Sequence, residues 1–127
     1  MNKNLSIASF LGITAVILGA FAAHSLKESL STEAMESMTT GIRYQIYHVI
    51  VLLFVNTYHG FTDKFKNQVS LLFFLGILLF SGSIYAIYLL GVSAKSIWFI
   101  TPLGGILLIL GWTLMFIFFL KKSFSKK

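Results

Sequence analysis

Cysteine is absent, which excludes disulfides, thiolate metal sites and thiol nucleophiles. Acidic residues are almost as scarce, four Asp and Glu against ten Lys and Arg in 127 residues. Three of the four, Glu28, Glu33 and Glu36, fall in one polar stretch, where Glu33 and Glu36 read as solvated charges at a helix start, not catalytic acids. Proline occurs once, at Pro102, in the opening turns of an apolar run where few backbone bonds are lost. Charged residues of all kinds make up 11% of the chain, far below the roughly 25% of a soluble domain.

What is present is hydrocarbon: 57% of residues are hydrophobic, so the solvent for most of this surface must be lipid. The length suits one domain, here a single membrane domain over residues 1–127. A net charge of +6 raises the question of nucleic acid. The cations, however, sit singly beside apolar runs or in the tail Lys121, Lys122, Lys126 and Lys127. That pattern anchors a protein to anionic headgroups, each cation contributing about 1 kcal/mol near the surface, and no nucleic-acid partner is expected.

Four spans are expected, at about 5–25, 41–60 with an extension from 32, 69–92 and 97–120. A secretory leader is the rival reading of the first, since Lys3 precedes it and Ala20-Phe21-Ala22 fits a cleavage site. Its apolar region is longer than the usual 7 to 15 residues or so, and three more spans follow. Gly12, Ala15 and Gly19 share a stripe of small residues that lets another helix approach in lipid. Gly104 and Gly111 make a similar seam in the last span. Ser31 before Thr32-Glu33 is a plausible N-cap.

The second span carries the most polar groups. Gly41, Gln45, His48, Leu52, Asn56 and His59 recur at spacings of three and four, so they form one face through its whole length. Facing lipid alone such a stripe is too costly, and it must turn toward protein or water. Arg43 lies on nearly the opposite side and reads as a snorkelling interfacial anchor, and Trp98 as a second anchor. Lysine and arginine concentrate before the first span, between the second and third, and after the fourth. The positive-inside rule then puts both termini in the cytoplasm and makes the fold an all-α, antiparallel four-helix bundle in a plasma membrane.

Four motifs in order carry a resemblance: Gly19-Ala20-Phe21-Ala22-Ala23-His24, Tyr44-Gln45-Ile46-Tyr47-His48, Phe80-Ser81-Gly82-Ser83-Ile84-Tyr85 and Thr101-Pro102-Leu103-Gly104-Gly105 followed by Gly111-Trp112. Nearly the whole chain resembles the YwdK/YgdD-like small bacterial membrane proteins, a family of uncharacterised function. The family's usual glycine is Ala22 here. The resemblance implies four helices in a bacterial plasma membrane and supplies no catalytic residue to carry over.

With that orientation the expected site is an outward-facing polar cluster of His24, Gln45, His48, Ser81, Tyr85 and Thr101 at one level, binding a lipid headgroup or small polar molecule. Histidine supplies a group titrating near neutrality, and the hydroxyls and amide can donate or accept. The competing reading is that these groups simply bond one another across the bundle. A third makes the protein an oligomeric carrier of a small solute or proton, with His48 titrating; the glycines leave a homo-oligomer open. Ser81 or Ser83 beside His48 has the outline of a nucleophile and base, yet no intramembrane aspartate orients the imidazole. A haem between His24 and His48 has no accompanying motif, and no cofactor, metal or enzymatic activity is expected.

Overall fold

The computed structural model describes residues 2–125; Lys126 and Lys127, counted in the basic tail, lie outside the described residues. Among these the regular structure is helical: α1 (Asn2–Ser29), α2 (Thr32–Thr57), α3 (Asp63–Leu89) and α4 (Ile100–Ser125). Each is long and apolar enough to cross a membrane.

The observed helix ends differ from several of the expected span limits, and the caps give the reason. Leu30 turns the chain extended, and the Ser31 hydroxyl accepts from the Ala34 amide at 3.1 Å. That cap starts α2 at Thr32, and the helix stops at Thr57, short of 60. The Thr62 hydroxyl likewise accepts from the Phe65 amide at 3.2 Å, so α3 begins at Asp63 instead of 69. Polar Asp63 to Gln68 is thus its first turns and not a loop. The same helix ends at Leu89, before 92, because Gly91 takes the left-handed conformation (φ 71°) that terminates helices at little cost in glycine. Residues 93–99 make turns with bonds from Ser96 to Ser93 and Ile100 to Ile97. Helix α4 therefore starts at Ile100, not 97, and Trp98 lies in the connection, largely exposed.

One irregularity interrupts α1: Ala22–Leu26 form a wide, π-type turn. Ala22 and Leu26 are both buried there and join Met38 and Ile84 in an apolar cluster. A larger one, with Leu52, Val55, Phe61, Phe73 and Leu108, fills the rest of the interior.

Successive helices pack in chain order, α1 on α2, α2 on α3 and α3 on α4. The inner pair is therefore the better covered, 39% of each apolar window being buried, against 17% in α1 and 22% in α4. Phe10, Ile13, Ile17, Ile109 and Phe116 are exposed on the outer helices, as a lipid-facing surface requires. Closest packing is between α3 and α4. A Cβ on Gly104 would fall on the backbone of Phe80, one on Gly111 would lie 2.6 Å from the Phe73 ring, and one on Gly76 2.5 Å from Leu108. The expected small-residue seam of α1 is looser. Ala15 is buried, but a Cβ at Gly12 or Gly19 would meet only ordinary contacts, 3.4 Å to Val49 and 3.8 Å to Ile42.

Candidate functional site

The periodic stripe of α2 faces protein as its polarity demands. Gly41, Gln45, His48, Leu52 and Asn56 are all buried, while His59 falls in the turn beyond the helix and is exposed. The stripe does not form one level of polar groups. It forms two, centred on Gln45 and Asn56, eleven residues or about 16 Å apart along the helix.

In the first layer Gln45, 2% exposed, joins three helices. Its amide nitrogen donates to the Leu11 carbonyl at 2.8 Å and to the Thr14 hydroxyl at 2.9 Å on α1, and its Oε1 accepts from the Tyr85 hydroxyl of α3 at 2.7 Å. One turn along, His48 has Nδ1 2.6 Å from the Tyr44 carbonyl, and its Nε2 accepts from the indole N–H of Trp112 on α4 at 3.0 Å. A carbonyl only accepts and an indole N–H only donates. These two partners assign the neutral imidazole with its proton on Nδ1. The ring also lies 5.3 Å from that of Phe73.

Of the six residues expected to form one cluster, Gln45 and Tyr85 bond directly, while Ser81 and His48 meet α2 one turn before and one turn after Gln45, each with partners of its own. Ser81, 1% exposed, donates to the Gly41 carbonyl at 2.6 Å, an oxygen of the turn that precedes Gln45. Thr101 does not join them. Its hydroxyl pairs with Ser83, and it lines a separate groove of about 470 Å³ with Glu33, Glu36, Thr40 and Tyr88. His24 is exposed on the wide turn of α1, so the first motif's imidazole is not part of the cluster. Neither Ser81 nor Ser83 has His48 as its hydrogen-bond partner, and the nucleophile–base arrangement is not formed. Arg43 is exposed and lines a groove between α1 and α2.

The second layer was not anticipated as a unit. Asn56, fully buried, accepts from the Asn4 amide of α1 at 3.0 Å and donates to its own Leu52 carbonyl at 2.9 Å and to Ser70 of α3 at 2.8 Å. Asn4 also donates to Asn67 at 2.9 Å. Lys66, 6% exposed, points its ammonium at the Asn56 carbonyl over 3.4 Å. Asn56 is legible in the sequence as part of the polar face of α2; Asn4, Lys66 and Asn67 are not, because polar residues flanking an apolar run carry no periodic signal. Among the described residues every buried side-chain nitrogen and oxygen has a hydrogen-bond partner. Among them, too, no three His, Asp or Glu residues cluster closely enough to hold a metal ion.

This arrangement can be set beside known proteins. A family model described as "Protein of unknown function (DUF423)" matches residues 18–105. The chain belongs to this family. A UPF0382 membrane protein of Haemophilus influenzae is 40% identical over 111 residues, 87% of this chain and 88% of its own length. One from Staphylococcus epidermidis is 40% identical over 121 residues, covering 95% and 98%. The UPF0382 inner membrane protein YgdD of Escherichia coli is 34% identical over 121 residues, covering 89% and 86%. No solved structure matches the chain significantly. DUF423 membership agrees with the four-motif resemblance, and the matched residues include the Gln45–His48 layer but stop before Trp112.

Proposed function

We propose that this DUF423 protein is a structural and lipid-binding module of the bacterial plasma membrane, an antiparallel bundle with both termini in the cytoplasm, and not an enzyme. Contact order supports the antiparallel reading: on α1 Asn4 meets Asn56 while Thr14 meets Gln45, and on α3 Ser70 meets Asn56 while Ser81 meets Gly41. The lysines in the first turn of α1 (Lys3), in the first turns of α3 (Lys64 and Lys66) and at the end of α4 (Lys121 and Lys122) support cytoplasmic termini.

A single observation carries the functional reading: the polar groups of the Gln45 layer are already engaged with one another and with backbone. With both nitrogens of His48 occupied, proton uptake would require breaking the Trp112 bond, and Gln45 and Tyr85 present no free polar atom to a headgroup. The layer therefore holds helices in register, each interhelical bond contributing about 0.6 to 2 kcal/mol, and ligand contact falls to the grooves around it.

Reconstitution into proteoliposomes tests this. The expected result is no proton or small-solute flux above that of empty vesicles, with phospholipid retained through purification. Flux that His48→Ala abolishes would establish the carrier reading instead.

A further inference from the structure

Between α1 and α2 runs a groove whose two ends carry cations. One section, about 310 Å³, is lined by Ala22, Ala23, Met35, Thr39 and Arg43 among others; the adjoining one, about 480 Å³, shares Ala22, Ala23 and Met35 and ends at Lys27. Its floor is the start of the wide turn of α1, where Ala22 and Ala23 present only methyl groups. Wide turns of this kind recur at functional sites. Among the described residues, the hydrogen bonds that join the helices use neither Arg43 nor Lys27.

Charge on α2 is sorted between grooves. Glu33 and Glu36 line the groove toward α3 and α4, and neither lines the two sections beside α1 that hold Arg43 and Lys27. The α1 side thus offers a basic, partly hydroxylated cleft with an apolar floor. An arginine below a lysine, each on a flexible apolar stem, can reach one anionic group from two sides. The guanidinium fork suits phosphate oxygens, and the methyl and thioether surface suits the first carbons of an acyl chain.

We propose that this groove is the binding site for an anionic phospholipid, its phosphate held between Arg43 and Lys27 with the Thr39 hydroxyl as a further donor. The proposal rests on the lipid-binding reading above and names where that contact occurs. The sequence treats Arg43 as an anchor in undifferentiated headgroups; the groove makes it a ligand of one lipid molecule.

Native mass spectrometry of the full chain in detergent, with phosphatidylglycerol or phosphatidylcholine added in equal amounts, is the test. Phosphatidylglycerol adducts should predominate, and R43Q and K27Q should each lower their occupancy about five-fold, the ratio one surface cation contributes. R43K, which keeps the charge and loses the fork, should lower occupancy by less than R43Q. Lys64→Gln, an exposed cation outside the groove, should change nothing. Ala23→Trp, at an exposed position, should block the groove without lowering the unfolding temperature. Equal retention by wild type, R43Q and A23W, or equal loss in K64Q, overturns the site while leaving lipid binding in place. A dimer carrying no lipid assigns the groove to a second copy and overturns it too. Absence of retained lipid together with His48-dependent flux overturns the underlying reading itself.

Discussion

The indole N–H of Trp112 donates to Nε2 of His48 across 3.0 Å, tying the last helix to the second although the two are not neighbours in chain order. Trp112 is 46% exposed, so one face of the indole meets lipid while its polar edge turns inward. Tryptophan anchors usually sit at the membrane surface because the N–H needs a wet partner. Here a buried neutral imidazole replaces that partner, midway along α4.

A double-mutant cycle measures this bond. His48→Ala and Trp112→Phe should each destabilise the fold, and the pair should couple by about 0.6 to 1.7 kcal/mol, the range of membrane interhelical bonds. Reversible unfolding in mixed micelles supplies the four free energies; additive losses would show that the two residues act separately.

At Gln45 the expected order of two substitutions is diagnostic. Gln45→Leu loses the bonds to α1 and α3 but leaves no buried charge. Gln45→Glu keeps an acceptor for Tyr85 yet sets a second acceptor against the Leu11 carbonyl. An intramembrane carboxylate is costly by several kcal/mol, so Glu should destabilise more than Leu and the gap should narrow at low pH as the acid protonates. The sign follows because only the neutral form can donate to that carbonyl. Thermal denaturation followed by circular dichroism from pH 5 to 8 checks it.

Gly104→Ala should lower stability by about 1 to 3 kcal/mol, the usual cost of overpacking, since its Cβ would fall on rigid backbone at Phe80. Gly19→Ala, with 3.8 Å of clearance, should be neutral or mildly stabilising through helix propensity. Comparing both melting temperatures in one detergent separates a required glycine from a tolerated one.

Asn56→Ala should cost about 1 to 3 kcal/mol by leaving a buried polar partner unpaired, because Ser70 has its interhelical bond to Asn56, while Asn4 keeps only Asn67. Amide hydrogen exchange should then rise in the N-terminal turns of α1, which the Asn4 bond ties to α2. Unchanged exchange there would show that this layer contributes little to docking α1.

Hydropathy locates four apolar cores but not all of their helix ends, for two physical reasons. The turn around Asp63 is polar, but a capped polar segment is still helix, and a hydropathy window registers only what lipid would accept. Ser31 could be recognised as a cap because its hydroxyl bonds within three residues. Gly91 could not be recognised as a stop, since its left-handed φ shows only in the folded backbone. Similarly, a small-residue stripe marks Gly12, Gly19, Gly104 and Gly111 alike, whereas only the folded distances show that a Cβ would strike backbone at Gly104 and the Phe73 ring at Gly111 while Gly12 and Gly19 have ordinary clearance.

The amino-acid order alone determined that lipid is this protein's solvent, that four segments are long and apolar enough to cross it, and that one face of α2 must be turned away from acyl chains. Those conclusions follow from transfer costs and helical periodicity, which are properties of single segments. Tertiary structure decided the rest: that the face divides into a Gln45 layer and an Asn56 layer, that His24 and Thr101 stand apart from the first, and that Trp112 closes on His48. Burying a polar side chain is demanded by its own desolvation. Which donor meets which acceptor depends on the lateral offset and tilt of neighbouring helices, and no single helix carries that information.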